Sequence, residues 1–222
     1  MSADWRIFVL PGSAWCVLPL VAVLGTALAV RDPSARGPVV RWWNAIAVAV
    51  VLVAASKIAF YGWGTGVRAW DLTCFSGHTV LGLVFWPVAL ALLVPPRYRG
   101  WRVSMATAGW VFAGLIGVSR VMLRAHPLSE VLAGAVLGAI VGGYGLHVLR
   151  GHRWPRVWGT GVVAVCLIVT LWLDPRSMRL PDSERGFAQI GATLAGNEKP
   201  VSRRAFKDVK PAPSHGARKV PR

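Results

Sequence analysis

Acidic residues are scarce in this chain. Its 222 residues include nine Asp+Glu against 25 Lys+Arg, and five of the nine lie after residue 173. Charge of either sign is thin, at 15% of residues, where a soluble domain carries about 25%. That shortage excludes an ordinary soluble globular domain. Cysteine is rare as well, and three thiols do not make a disulfide framework. Cys16 and Cys166 lie in apolar runs and read as small apolar residues, and Cys74 reads as a bystander. A positive segment ahead of the first apolar run is missing too, since Arg6 is set against Asp4. Ala27-Leu28-Ala29 is therefore expected to belong to a retained first span, with the N-terminus outside, and not to a signal-peptide cleavage site.

Apolar surface is what the chain has in abundance. Hydrophobic residues make up 55% and the mean hydropathy is +0.51. Runs of the length needed to cross a bilayer, about 17–25 residues, recur near 14–30, 43–60, 77–95, 103–120, 129–149 and 157–173. Most of the twelve tryptophans flank these runs, where indoles anchor at headgroup level. The expected fold is an all-α integral membrane bundle of six transmembrane helices over residues 1–173. Residues 174–222 form a basic tail with eleven Lys+Arg, several prolines and few large apolar side chains. Such a segment buries little surface and is expected to be a disordered or only locally ordered, solvated extension.

The net charge of +16 does not point to nucleic acid, because of where the cations lie. Beyond the tail, nine of them fall in three short loops: Arg31, Arg36 and Arg41; Arg97, Arg99 and Arg102; Arg150, Arg153 and Arg156. Six spans put those loops on one side of the membrane, and the positive-inside rule makes that side cytoplasmic. The expected partners are anionic membrane lipids rather than nucleic acid. The expected location is a bacterial inner membrane.

A second polar set lies at the opposite ends of the spans: Lys57, Arg68, Ser76-Gly77-His78, Ser119-Arg120, His126 and Glu130. The end of span two, the start of span three, the end of span four and the start of span five share one face. Ionisable groups at membrane depth are functional hypotheses by default. Any one of them alone would read as an interfacial or snorkelling side chain; their joint spacing and sidedness single them out. Three cations suit the spread charge of a phosphate group, and arginine adds a fork that fits its oxygens in pairs. The start of span three, with Gly77 and Ser76, offers a helix N-terminus as an anion cradle. His126-Pro127 places His126 at or next to the N-cap of span five. Glu130, four residues on, can hold one imidazole nitrogen and free the other to attack phosphorus, while His78 supplies the proton to the leaving oxygen. No metal or cofactor is required, and three cations would repel a metal ion. Gly134, Gly138 and Gly142 form a stripe suited to close helix packing.

Ser119-Arg120, five residues, His126, three residues and Glu130 resemble the third motif of the type 2 phosphatidic acid phosphatase superfamily, S-R-x5-H-x3-D, which also includes the vanadium haloperoxidases. Phe75-Ser76-Gly77-His78 is similar to its second motif, P-S-G-H, and Lys57 with Arg68 to its first, K-x6-R-P. The resemblance covers about residues 45–150. It implies a six-helix membrane fold and hydrolysis of a lipid phosphate monoester or diphosphate through a phosphohistidine. It assigns His126 as nucleophile, His78 as general acid, Glu130 as the orienting carboxylate, and Lys57, Arg68, Ser76, Gly77 and Arg120 to phosphate. The chain departs from the pattern in three places: ten residues separate Lys57 from Arg68, Ala69 and Phe75 stand where the family has proline, and Glu130 replaces aspartate. The alternatives are a lipid-phosphate binder or transporter of the same fold, a lipid phosphotransferase, and a vanadate-dependent haloperoxidase.

Overall fold

The computed structural model describes residues 4–154, 183–203 and 206. A short helical turn, Val9–Gly12, leads into α1 (Ala14–Arg31). Then follow α2 (Arg36–Trp63), α3 (Gly77–Leu92), α4 (Arg99–Met122), α5 (Leu128–Val148) and α6 (Ser183–Leu194). Among the described residues there is no strand beyond a single bridge between Val67 and Leu72. The expected all-helical architecture is present.

Four segments are long and apolar enough to cross a bilayer: Ala14–Arg31, Pro33–Trp63, Arg99–Met122 and Leu128–Val148. The third expected span is different. Helix α3 has 16 residues and ends at Leu92, not at 95, so it is about 24 Å long at 1.5 Å per residue. Nearly all of it is buried, with α4 and α5 packed along it. It is the centre of the bundle rather than a lipid-facing helix, which is why its sequence is apolar all round. The expected sixth span, 157–173, lies outside the described residues.

The glycine stripe of α5 is the seam against α3. A Cβ on Gly138 would lie 2.8 Å from Leu83 Cβ, and one on Gly142 would lie 2.3 Å from the Leu83 carbonyl. The helices approach so closely that no side chain fits between them. At one end of the bundle the arginine loops gather. Arg102 donates to the carbonyls of His152 (2.7 Å) and Leu149 (2.9 Å), satisfying acceptors at the end of α5 that the helix leaves open. His152 Nδ1 meets Asp32 Oδ2 at 2.8 Å.

The described part of the tail departs from the expected solvated extension. Helix α6 docks on α2. Gly62 and Gly191 make the crossing possible, since a Cβ on Gly62 would lie 2.6 Å from the Gly191 carbonyl. Asn197 Nδ2 donates to the Gly62 carbonyl (2.7 Å), and the Val201 amide donates to that of Tyr61 (2.8 Å). Phe206 then packs edge-on to Phe60 at 5.6 Å. Small residues let the backbones approach, and Phe206 adds an apolar anchor, so this basic segment buries against the bundle.

Candidate active site

The other end of the bundle holds the polar set. Helix α4 ends at Met122, and Arg124 takes a left-handed φ of 54°. That turn folds the chain back so that the amides of Ala125 and His126 both donate to the Arg120 carbonyl, at 2.9 and 3.2 Å. His126 is thereby tied to Arg120 before α5 begins. Pro127 is the N-cap of α5, extended at ψ 159°, so His126 stands next to the N-cap as expected.

Glu130, in the first turn of α5, is fully buried. Its Oε2 lies 2.5 Å from His126 Nδ1. Its Oε1 accepts from the Thr73 amide at 3.2 Å and from the Thr73 hydroxyl. The Glu130 backbone carbonyl takes the Ser76 amide at 3.2 Å. Loop 64–76 is pinned at its other contacts too: the Phe75 amide donates to Ser56 Oγ (3.2 Å), and Ser129 Oγ donates to the Asp71 carbonyl (3.0 Å).

Lys57, Gly77, His78, Arg120 and His126 all line one cavity of about 370 Å³. Its remaining walls are mostly apolar, with Leu18 from α1, Val50 and Val53 from α2, Leu81 from α3 and Phe187 from α6. Arg120 is buried, and its Nε has no hydrogen-bond partner among the described residues. The cavity thus joins a polar end, carrying two imidazoles and two cations, to an apolar trough.

Three expected residues sit elsewhere. Glu130 is behind His126, as a positioning carboxylate must be. Ser76 is buried, with its hydroxyl accepting from Thr79 Oγ1 at 2.9 Å. Arg68 is exposed on the loop, with its guanidinium 5.1 Å over the Phe206 ring, and does not line the cavity. The longer spacing between Lys57 and Arg68 carries the arginine past the site.

Three residues at the site had no signal in the motifs. Thr73 is one. The others come from the tail. The Glu184 carboxylate bonds Lys57 Nζ, accepts from Tyr61 Oη at 2.9 Å, and lies 3.9 Å from His126 Nε2. Burial alone would raise its pKa, but the charge and hydrogen bond of Lys57 outweigh burial and hold it below the ordinary carboxylate range. Arg203 clasps Glu130 with both arms of its fork, Nη1 to Oε1 at 2.8 Å and Nη2 to Oε2 at 2.9 Å. Burial disfavours its charge, but Glu130 more than compensates and raises its pKa.

Cys74, His126 and Glu130 bring ligand-type atoms within 4.8 Å of one another. They do not suit a metal ion. The Arg203 guanidinium already occupies the cation position, since Nη2 also lies 3.8 Å from Cys74 Sγ. Burial first, then the Glu130 charge, push the Cys74 thiol up to about 11, so beside Arg203 it is a neutral thiol.

The helical bundle thus presents a histidine–carboxylate pair to a cationic, apolar-walled cavity. A family model described as "PAP2 superfamily" matches residues 64–154. A Klebsiella pneumoniae protein named "Uncharacterized 22.5 kDa protein in cps region" is 34% identical over 206 residues, covering 90% of this chain and 96% of that protein. No solved structure matches. The chain belongs to the PAP2 superfamily.

Proposed function

We propose that this protein is a membrane lipid phosphatase that hydrolyses a phosphate monoester or diphosphate through a phosphohistidine at the extracytoplasmic face. The observation that carries the reading is the His126 imidazole: Glu130 holds its Nδ1 at 2.5 Å, while the ring lines a cavity shared with Lys57, His78 and Arg120.

In the first step His126 Nε2 attacks phosphorus, and the bond from phosphorus to the lipid oxygen breaks. His78 donates its proton to that oxygen, so the lipid leaves as an alcohol or, from a diphosphate, as a monophosphate. Lys57 and Arg120 hold the charge that spreads over the phosphoryl oxygens. Glu130 stabilises the imidazolium character that His126 acquires. In the second step His78 takes a proton from water, the water oxygen attacks phosphorus, and the bond from nitrogen to phosphorus breaks. The apolar trough accepts the lipid chain. A polyprenyl diphosphate, a phosphatidate, a phosphatidylglycerophosphate and a lipid A phosphate all suit these features.

One observation favours a second reading, a lipid-phosphate binder with little turnover. The Glu184 carboxylate engages Lys57 inside the cavity, where an incoming phosphate must compete with it. The test is phosphate release from a panel of lipid monophosphates and diphosphates by the detergent-purified protein in EDTA, beside His126→Ala. Release by the wild type and none by the variant supports the phosphatase. Tight binding of those lipids with no release by either protein supports the binder.

A further inference from the structure

We infer that Arg203, supplied by the tail, is a positioning residue for the nucleophile: its guanidinium fixes the Glu130 carboxylate, and Glu130 fixes the imidazole of His126. The inference rests on the phosphohistidine reading above. It concerns a residue 73 positions away from Glu130 in sequence, outside the matched region 64–154.

The geometry is that of a fork on a fork. Both Arg203 nitrogens meet both Glu130 oxygens, at 2.8 and 2.9 Å, and such bidentate pairs set a plane as well as a distance. Glutamate has one more rotatable bond than aspartate, so a carboxylate standing in for the family's aspartate needs more to hold it. Arg203 and Thr73 supply that hold. The segment carrying Arg203 is itself anchored on both sides. The Val201 amide donates to the Tyr61 carbonyl (2.8 Å), and Phe206 packs on Phe60. Two anchors on α2 therefore aim the guanidinium at the site.

The charge balance gives the same answer. The groups that face the His126–Glu130 pair are Lys57 from α2, Cys74 from the loop, His78 from α3, Arg120 from α4, Glu184 from α6 and Arg203. Lys57 is engaged by Glu184, and among the described residues Arg203 is the permanent cation that bonds Glu130. Without it, a fully buried carboxylate would be left, among the described residues, with the His126 imidazole as its hydrogen-bonded ionisable partner, which is unfavourable. A proton on His126 would relieve the imbalance, and a doubly protonated imidazole has no lone pair with which to attack phosphorus. Arg203 thus keeps Glu130 charge-paired and, through it, His126 oriented.

The test uses the full chain in detergent, with wild type, His126→Ala, Arg203→Met and Arg203→Lys assayed on the best lipid phosphate across pH. For Arg203→Met the expected result is a fall in kcat of about 100-fold, with KM changed by less than about threefold. Its acidic limb should move to higher pH, so that part of the activity returns as the pH is raised. Arg203→Lys restores charge but not the fork. It should keep the wild-type pH profile while kcat stays about tenfold down, and it decides the matter if the methionine variant does not fold. Wild-type kcat and pH profile in both variants would overturn the inference, as would a raised KM with unchanged kcat. A wild type that releases no phosphate would overturn the phosphohistidine reading and this inference with it. An active wild type indifferent to Arg203 overturns this inference alone.

Discussion

Replacing Glu130 with aspartate restores the family's own residue, yet the structure predicts a loss. The Glu130 carboxylate is engaged on every side: by His126 at 2.5 Å, by the two Arg203 nitrogens at 2.8 and 2.9 Å, and by Thr73 through its hydroxyl and its amide at 3.2 Å. Removing one methylene withdraws the carboxylate by about 1.5 Å. Contacts now at 2.5–2.9 Å would stretch to about 4 Å, past the reach of a hydrogen bond. A displacement of that size at a positioning group lowers turnover by about 100-fold. Weakening one charged hydrogen bond of this kind also destabilises the fold by about 2 kcal/mol. The assay is kcat for phosphate release at saturating lipid phosphate, with thermal unfolding in the same detergent. Expected are a kcat near one-hundredth of wild type and a lower Tm. A Glu130→Asp variant as fast as wild type, or faster, would refute the claim that the site is built around glutamate.

The two cations of the first motif should behave differently. Lys57 is buried in the cavity wall and Arg68 is exposed on the loop, so Lys57→Met should lower kcat/KM by about 100-fold or more and Arg68→Ala by less than about threefold; equal losses would place Arg68 in the site after all. Gly142→Val must push α5 off α3, because its Cβ would sit 2.3 Å from the Leu83 carbonyl. It should cost about 3 kcal/mol or more, whereas Gly143→Ala, with nothing within 4 Å of its Cβ and a better helix former in place, should not lower Tm. The Glu184 ion pair predicts a pH effect. Its lowered pKa means that its stabilisation is present in full above the ordinary carboxylate range and is lost as pH falls through the lowered value. Glu184→Gln should therefore unfold at a lower temperature than wild type at pH 7. That gap should narrow as the pH falls below the ordinary carboxylate range and through the lowered value, and a gap that is constant with pH would contradict the assignment.

The parts of this site that could be read from sequence are those set by local spacing. His126 and Glu130 stand four residues apart at the start of one helix, and Ser119-Arg120 is one short turn upstream, so geometry follows from the order of residues. The α5 glycine stripe was legible for the same reason: its four-residue spacing puts a flat face on a helix. Helix α3 was less legible, because an apolar run does not say whether lipid or protein surrounds it. Glu184 and Arg203 were not legible as site residues. They lie 127 and 73 positions from the partners they bond, in a stretch whose composition reads as solvated. The usable signal was faint: two adjacent small residues in α6, Gly191 and Ala192, with Ala195 just past its end, and a carboxylate at its start. What brings them in is the close backbone approach at Gly62 and Gly191, and no periodicity announces that crossing.

In the proposed reaction His126 carries the phosphoryl group. The most direct measurement is to mix the purified protein with a lipid phosphate labelled at phosphorus, quench within the first turnover, and locate the label by peptide mapping. An acid-labile, alkali-stable label is expected on the peptide containing His126 and is absent from His126→Ala, which releases no phosphate. Phosphate release by His126→Ala at the wild-type rate, or a label on another residue, would contradict it.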